Sequence, residues 1–207
     1  MTLTRRSLLA SGGSLILGTG ALALWPGAGQ AQGLTVDAVL YDPDAPVQGN
    51  PEGDVTVVEY FDYQCPFCKR MHPILEEVVA ADGNVRLVMK DWPIFGAPSV
   101  LASQLALGAV SLGAYEAVSA ALMATEARLS HAEVEARVAE AVPVAEAMQA
   151  YRADRDRWDA LLARNDAQAV ALGFRGTPAF AIETTLFSGA LDRQTLEEAI
   201  AEARAKA

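Results

Sequence analysis

Tyr60-Phe61-Asp62-Tyr63-Gln64-Cys65-Pro66-Phe67-Cys68-Lys69 holds both cysteines of the chain, spaced Cys-x-x-Cys. An apolar, β-branched run from Val55 to Phe61 leads into the pair, and a helical pattern from Pro66 to Ala81 leads out of it. The two sulfurs therefore stand where a strand ends and a helix begins. At a helix N-terminus the unpaired N–H groups and the positive end of the macrodipole favour a thiolate, the form that attacks or leaves in disulfide exchange. Residues i and i+3 of a helix lie about 5–6 Å apart at Cβ, so Cys65 and Cys68 can close a disulfide with little adjustment. The stretch predicts a reversible dithiol/disulfide switch.

Composition narrows the rest. With 207 residues the chain can bury one sizeable core. A net charge of −10 argues against nucleic acid as a partner, because phosphate contacts need a basic surface. Two cysteines three residues apart cannot staple distant elements, which leaves redox chemistry, a metal site or an inert pair. Zinc needs four ligands, and His72 and His131 are the only histidines available to complete a site. Exchange chemistry is the favoured reading, with no metal and no bound cofactor.

Residues 1–31 read as an export signal, to be set aside before the fold is considered. Arg5-Arg6 precedes a weakly apolar run to Leu24, and Gly29-Gln30-Ala31 offers small residues at a cleavage site. Thr4-Arg5-Arg6-Ser7-Leu8-Leu9 resembles a twin-arginine signal, with an ordinary secretory signal as the alternative. The glycines at 12, 13, 18 and 20 make the run a poor membrane span, so no stable anchor is expected after cleavage. Its removal takes two arginines and no acid, leaving 14 basic and 26 acidic residues. The expected location is the periplasm, where disulfides persist.

Residues 32–53 read as a surface lead-in with one edge strand, Leu34 to Tyr41 being its alternating piece and Gly49-Asn50-Pro51-Glu52-Gly53 its breakers. Val55–Phe61 suits a central strand buried on both faces, with Glu59 as the exception in it. Val85–Trp92 alternates as a second strand, so strand, helix and strand form a parallel βαβ unit. From about 98 to 172 the chain is a helical block. Ser99 is expected to cap its first helix, ending near Gly113, and Ser130-His131-Ala132-Glu133 is a capping box. Ala179–Ile182 and Leu186-Phe187 are strands, and Asp192 caps a final helix.

This order of elements resembles the thioredoxin fold, and a helical block between its halves is the mark of the DsbA-like family of exported thiol-disulfide oxidoreductases. Glu59 to Lys69, Asp91-Trp92-Pro93-Ile94-Phe95-Gly96 and Leu172 to Phe180 resemble corresponding stretches of that group. The resemblance runs from about Val47 to the C-terminus. It implies an α/β domain over 54–207 of thioredoxin-like fold with an inserted helical subdomain. It implies a cis-proline at Pro178 facing the cysteines, with Thr177 beside it pairing with substrate backbone, Phe67 joining them at the substrate face, and Pro73 kinking the active-site helix. It also gives Glu59, six residues before Cys65, the role of a buried acid that relays a proton. Burial of a carboxylate among apolar residues independently predicts a raised pKa.

The function implied is oxidation of cysteine pairs in exported proteins, with Cys65 attacked by substrate and a membrane quinone-linked partner restoring the disulfide. Pro66-Phe67 replaces the Pro-His of strong oxidants, which removes one stabiliser of the thiolate and implies an intermediate potential. Two alternatives stay open: a reductase or isomerase kept reduced by a membrane donor, and a metal-binding or holdase protein. Trp92 and Phe95 read as core aromatics, a substrate groove being the rarer role.

Overall fold

The run that leads into the cysteines forms strand β2 (Val55–Phe61), and all seven of its residues are buried. The computed structural model describes residues 34–126 and 128–206; the expected export signal lies outside them. A strand buried on both faces needs neighbours on both sides, and β2 is central in a five-stranded sheet of order β1-β3-β2-β4-β5. On one side β3 (Val85–Asp91) runs parallel, with Glu59 opposite Met89 and Phe61 opposite Asp91. On the other β4 (Ala179–Ile182) runs antiparallel, with Glu59 opposite Phe180. The edges are β1 (Val47–Gly49) and β5 (Thr185–Ser188), both antiparallel to their neighbours. Helix α2 (Pro66–Asp82) makes the crossover between β2 and β3, carries Pro73 inside it, and ends on Gly83 in the left-handed region.

The alternating piece of the lead-in is a helix. α1 (Val36–Leu40) is capped by Thr35, whose hydroxyl accepts the Ala38 N–H at 3.1 Å. Val36, Val39 and Leu40 also fall at i, i+3 and i+4, and so short a segment fits either period. The edge strand of the lead-in is β1 instead. Asp42 and Asp44 anchor this region: Arg164 holds Asp42 at 2.9 Å and Asp44 at 2.7 Å, and the fully buried Lys90 ammonium reaches Asp42 at 3.4 Å and Gln168 at 3.0 Å.

Five helices lie between β3 and β4: α3 (Ala97–Gly108), α4 (Tyr115–Met123), α5 (His131–Val138), α6 (Val144–Ala153) and α7 (Arg155–Ala171). Ser99 does not cap the first of them. Gly96 is its N-cap, Pro98 sits in its first turn, and the Ser99 hydroxyl is committed to Asp62 at 2.7 Å. α3 also stops earlier than expected, continuing as separate turns to Gly113. The capping box at α5 is formed in full, Ser130 Oγ accepting from Glu133 N–H and Glu133 Oε2 from Ser130 N–H. Asp192 accepts the Thr195 N–H at 2.8 Å at the start of α8 (Arg193–Lys206). The fold class is thus the thioredoxin-like sheet with a helical insertion.

Close approach of α3 and α6 depends on Gly108. A Cβ there would lie 2.0 Å from the Ala147 carbonyl oxygen. Alanine in place of glycine normally helps a helix by up to about 1 kcal/mol, but here it forces two backbones apart. Gly108→Ala is expected to destabilise the protein by about 2–3 kcal/mol, read as a lower urea midpoint.

Candidate active site

Cys65 is the N-cap of α2, with extended backbone angles (φ −72°, ψ 117°) and no side-chain cap bond. The Cys68 thiol donates to its sulfur, and the N–H groups of Cys68 and Phe67 point at it. The Thr177 carbonyl lies 3.1 Å from Cys65 Sγ and accepts from the protonated thiol, while the buried Thr177 hydroxyl has no hydrogen-bond partner. The bond from the Cys68 thiol, with the backbone donors, outweighs burial and holds Cys65 down to about 6 from an ordinary value of 9.0. Cys68 lies at 0 % exposure, and burial, its bond to Cys65 and the charge of Glu59 push it far up. Both are free thiols in this structure.

Strand pairing fixes Glu59 beneath the pair, between Met89 and Phe180. It is fully buried, and neither carboxylate oxygen has a hydrogen-bond partner. Burial, helped by negative charge at Cys65, lifts it to about 8, so it is mainly protonated at neutral pH. The Thr177–Pro178 peptide bond is cis. Phe67 is 53 % exposed with the Arg70 guanidinium 4.5 Å from its ring centroid, which places it at the rim. Cys65 thus interacts with Cys68, with Glu59 and with Thr177, and Phe67 stands outside this group. Trp92 belongs to the core, donating to Asp166 at 2.8 Å and meeting Tyr60 edge-on; Phe95 packs against that core. His72 faces Glu76 at 3.1 Å, and among the described residues no group of three or more His, Cys, Asp or Glu could hold a metal ion.

Asp62 and Asp91 escaped the reading of the sequence. The Asp62 carboxylate accepts the N–H groups of Gln64 (2.7 Å), Ile94 (2.7 Å) and Phe95 (3.0 Å) and the Ser99 hydroxyl (2.7 Å). Gln64 adds bonds to the Phe95 carbonyl and to Ser99. Only the Asp62–Gln64 bond is local, an Asx-turn that Asp-Tyr-Gln can signal. Asp91 accepts from the Tyr115 hydroxyl at 3.3 Å, and burial lifts it to about 7.

The thioredoxin family profile matches residues 42–202. The chain belongs to the thioredoxin family. Among solved structures it is similar to a thioredoxin-like oxidoreductase from Silicibacter pomeroyi (41 % identity, TM-score 0.78, 84 % of this chain and 100 % of that one). A periplasmic thioredoxin-like protein from Salmonella enterica serovar Typhimurium is 29 % identical, with a TM-score of 0.70, over 82 % of this chain and 96 % of that one. The thiol-disulfide exchange protein α-DsbA2 of Wolbachia pipientis shares the fold at 24 % identity and a TM-score of 0.75, over 80 % of this chain and 90 % of that one. The curated relatives are much longer: the chain is 29 % identical over 86 % of its length to Na(+)/H(+) antiporter NhaA 3 of Salinispora tropica but spans 28 % of that protein.

The acidity of Glu59 fixes a sign for stability. Folded Glu59 keeps its proton up to about 8, whereas the unfolded chain loses it near 4.5. Its contribution is therefore complete below 4.5 and is lost as pH rises through about 8. Cys65 acts oppositely, its contribution to the reduced protein present above 9.0 and lost as pH falls through about 6. Comparing Glu59→Leu with the parent isolates the first effect: the variant should gain roughly 2–3 kcal/mol between pH 4.5 and 7, measured by urea denaturation of reduced protein. A pH-independent difference would mean that Glu59 is ionised throughout.

Proposed function

We propose that this chain is an exported oxidant of cysteine pairs in other proteins. The observation that carries the reading is the asymmetry of the two thiols. Cys65, at the helix N-cap, is held down to about 6, while Cys68 beneath it is driven up. A thiolate stabilised in this way makes the disulfide a better oxidant.

In the forward direction a substrate thiolate attacks Cys65 Sγ of the disulfide. The bond to Cys68 breaks, Cys68 leaves with the electron pair, and the Glu59 carboxylic acid supplies its proton. A second substrate thiolate attacks the substrate sulfur of the mixed disulfide and expels Cys65 as a thiolate. The substrate loses two electrons and the pair gains them. Glu59 is suited to this task because, protonated and without a fixed partner, it can give its proton and later take one back. Thr177 and the exposed Phe67 ring support a substrate chain lying across Cys65, paired with backbone at Thr177. A membrane quinone-linked oxidase would return the pair to the disulfide.

The Arg5-Arg6 signal and the periplasmic relative support export, and among the described residues no helix is long and apolar enough to cross a membrane. If the twin-arginine route is used, replacing both arginines by lysine should strand the precursor inside the cell, as fractionation would reveal.

The decisive experiment is refolding of a reduced, disulfide-containing protein in a glutathione buffer. The oxidised chain should accelerate it, Cys65→Ala should abolish the effect, and Cys68→Ala should accumulate a mixed disulfide through Cys65. Equilibration with glutathione should place the pair between about −270 and −120 mV. A value at the reducing end, with rearrangement of scrambled disulfides faster than oxidation of thiols, would make the protein an isomerase or reductase instead.

A further inference from the structure

One buried titratable side chain of the active-site helix takes no part in disulfide exchange. His72 follows Cys68 by four residues on α2, one turn along the same side, and is 5 % exposed. Its Nε2 lies 3.1 Å from Glu76 Oε1 but off the line of a hydrogen bond, and neither ring nitrogen has a hydrogen-bond partner. The ring lines a cleft of about 610 Å³, walled by Pro66, Arg70 and Pro73 of α2 and by Ala120 and Met123 of α4. Ligand sites run from about 300 to 1,000 Å³.

A buried polar group without a partner costs stability, and an apolar residue of like shape would avoid the cost. What the ring offers is specific. Burial holds it below its ordinary range against the pull of Glu76, so at neutral pH it is uncharged, with one N–H donor and one acceptor nitrogen. A peptide backbone presents the complementary pair, a carbonyl and an N–H. The two prolines, Ala120 and Met123 give the cleft apolar surface, and methionine adapts to side chains of differing shape. Two basic residues, Lys69 and Arg70, and two acidic ones, Glu76 and Glu126, also line the cleft and balance in charge. That balance disfavours an ion as occupant and suits a neutral stretch of polypeptide. The position of the cleft fits as well. Pro66 directly follows Cys65, and the Arg70 guanidinium lies 4.5 Å from the centre of the exposed Phe67 ring, so the cleft opens on the rim beside the nucleophile.

We propose that this cleft is a subsite for the substrate chain: it takes an extended apolar segment next to the cysteine joined to Cys65, with His72 hydrogen-bonded to the backbone of that segment. A bulky side chain of the segment packs against Pro73 and Met123. Its backbone supplies a carbonyl for the imidazole N–H and an N–H for the bare ring nitrogen. His72 is here a specificity-determining residue and not a catalytic one, since it governs how tightly an extended chain is held, which appears in KM. One wall of the cleft is the active-site helix and the other is α4, so the helical insertion takes a direct part in choosing substrates. The inference rests on the reading that Cys65 acts on protein chains.

The test measures oxidation of reduced two-cysteine peptides by the oxidised mature chain, one peptide with leucine and valine beside its cysteines and one with serine there. The parent should show a KM about tenfold lower for the apolar peptide. His72→Leu, and Ala124→Trp at the exposed edge of the cleft, should each raise that KM about three- to tenfold with kcat held, erasing most of the preference. His72→Leu should also raise the urea midpoint, because an unpaired polar group leaves the interior. Equal KM values for the two peptides in the parent, or variants that keep the parent's preference, overturn the proposal. So does a His72→Leu variant with a lower midpoint and an unchanged KM, which makes the ring a core residue only. A binding measurement needs no chemistry: the apolar peptide with serine in place of its cysteines, titrated into the reduced chain, should shift the NMR signals of the Met123 methyl and the His72 ring. Shifts confined to Phe67 and Thr177 overturn the subsite. The two readings fail separately. Binding with those shifts but no oxidation of either peptide refutes the oxidant reading alone, whereas oxidation of both at one KM refutes the subsite alone.

Discussion

Four hydrogen bonds converge on the Asp62 carboxylate, which is 1 % exposed, and the geometry around both sulfurs hangs on them. An ionised carboxylate is costly to take out of water unless donors surround it. Here three of the donors are backbone N–H groups of two loops, which would themselves be costly to bury unpaired. Each loop solves the other's difficulty. The Asp62 carbonyl also accepts the Cys65 N–H at 2.9 Å, so one residue sets the path of the chain into α2 and fastens it to the first turn of α3 through Ser99. The helical insertion is therefore tied into the active-site turn as well as packed beside the sheet.

The sheet treats charge differently on its two faces. Glu59 and Asp91 share one face, since alternate residues of β2 and β3 lie in register. Both are acids raised by burial, to about 8 and about 7, and the Glu59 oxygens have no partner at all. On the other face Lys90 is equally buried but has Asp42 and Gln168 within reach, and Arg164 completes the group. The paired face fastens the lead-in and α7 to the sheet. The unpaired face lowers stability at neutral pH, and it lies under the cysteines, where a neutral acid that can exchange its proton is useful.

Local chemistry made the frame legible. β2 is a run that only a central strand accommodates, α2 begins at a proline and ends at a glycine, and Ser130 with Glu133 spells out a cap. Where a pattern was short the outcome differed, as at Val36–Leu40, whose few apolar residues fit helix and strand alike. Ser99 carried a cap residue's chemistry but spent it on Asp62, 37 positions away. The same distance hid Asp62: its donors at 94, 95 and 99 are brought to it only by the folded chain. Thr177 and Pro178 were reached through resemblance, since nothing in Gly-Thr-Pro alone tells where the loop will lie.

The edges of the sheet bear on aggregation. A long, flat, apolar edge strand offers a row of unpaired backbone groups to any extended chain and templates further strands. β1 is three residues long, turns away at Gly49 (φ 66°) and is followed by Pro51. β5 has four residues, three of them exposed, and is ended by Gly189 (φ 95°). Neither edge is long enough to recruit a stable partner strand. For a protein proposed to oxidise cysteine pairs in other proteins, edges this short give an extended substrate chain little to join away from the proposed contacts at Cys65, Thr177 and Phe67.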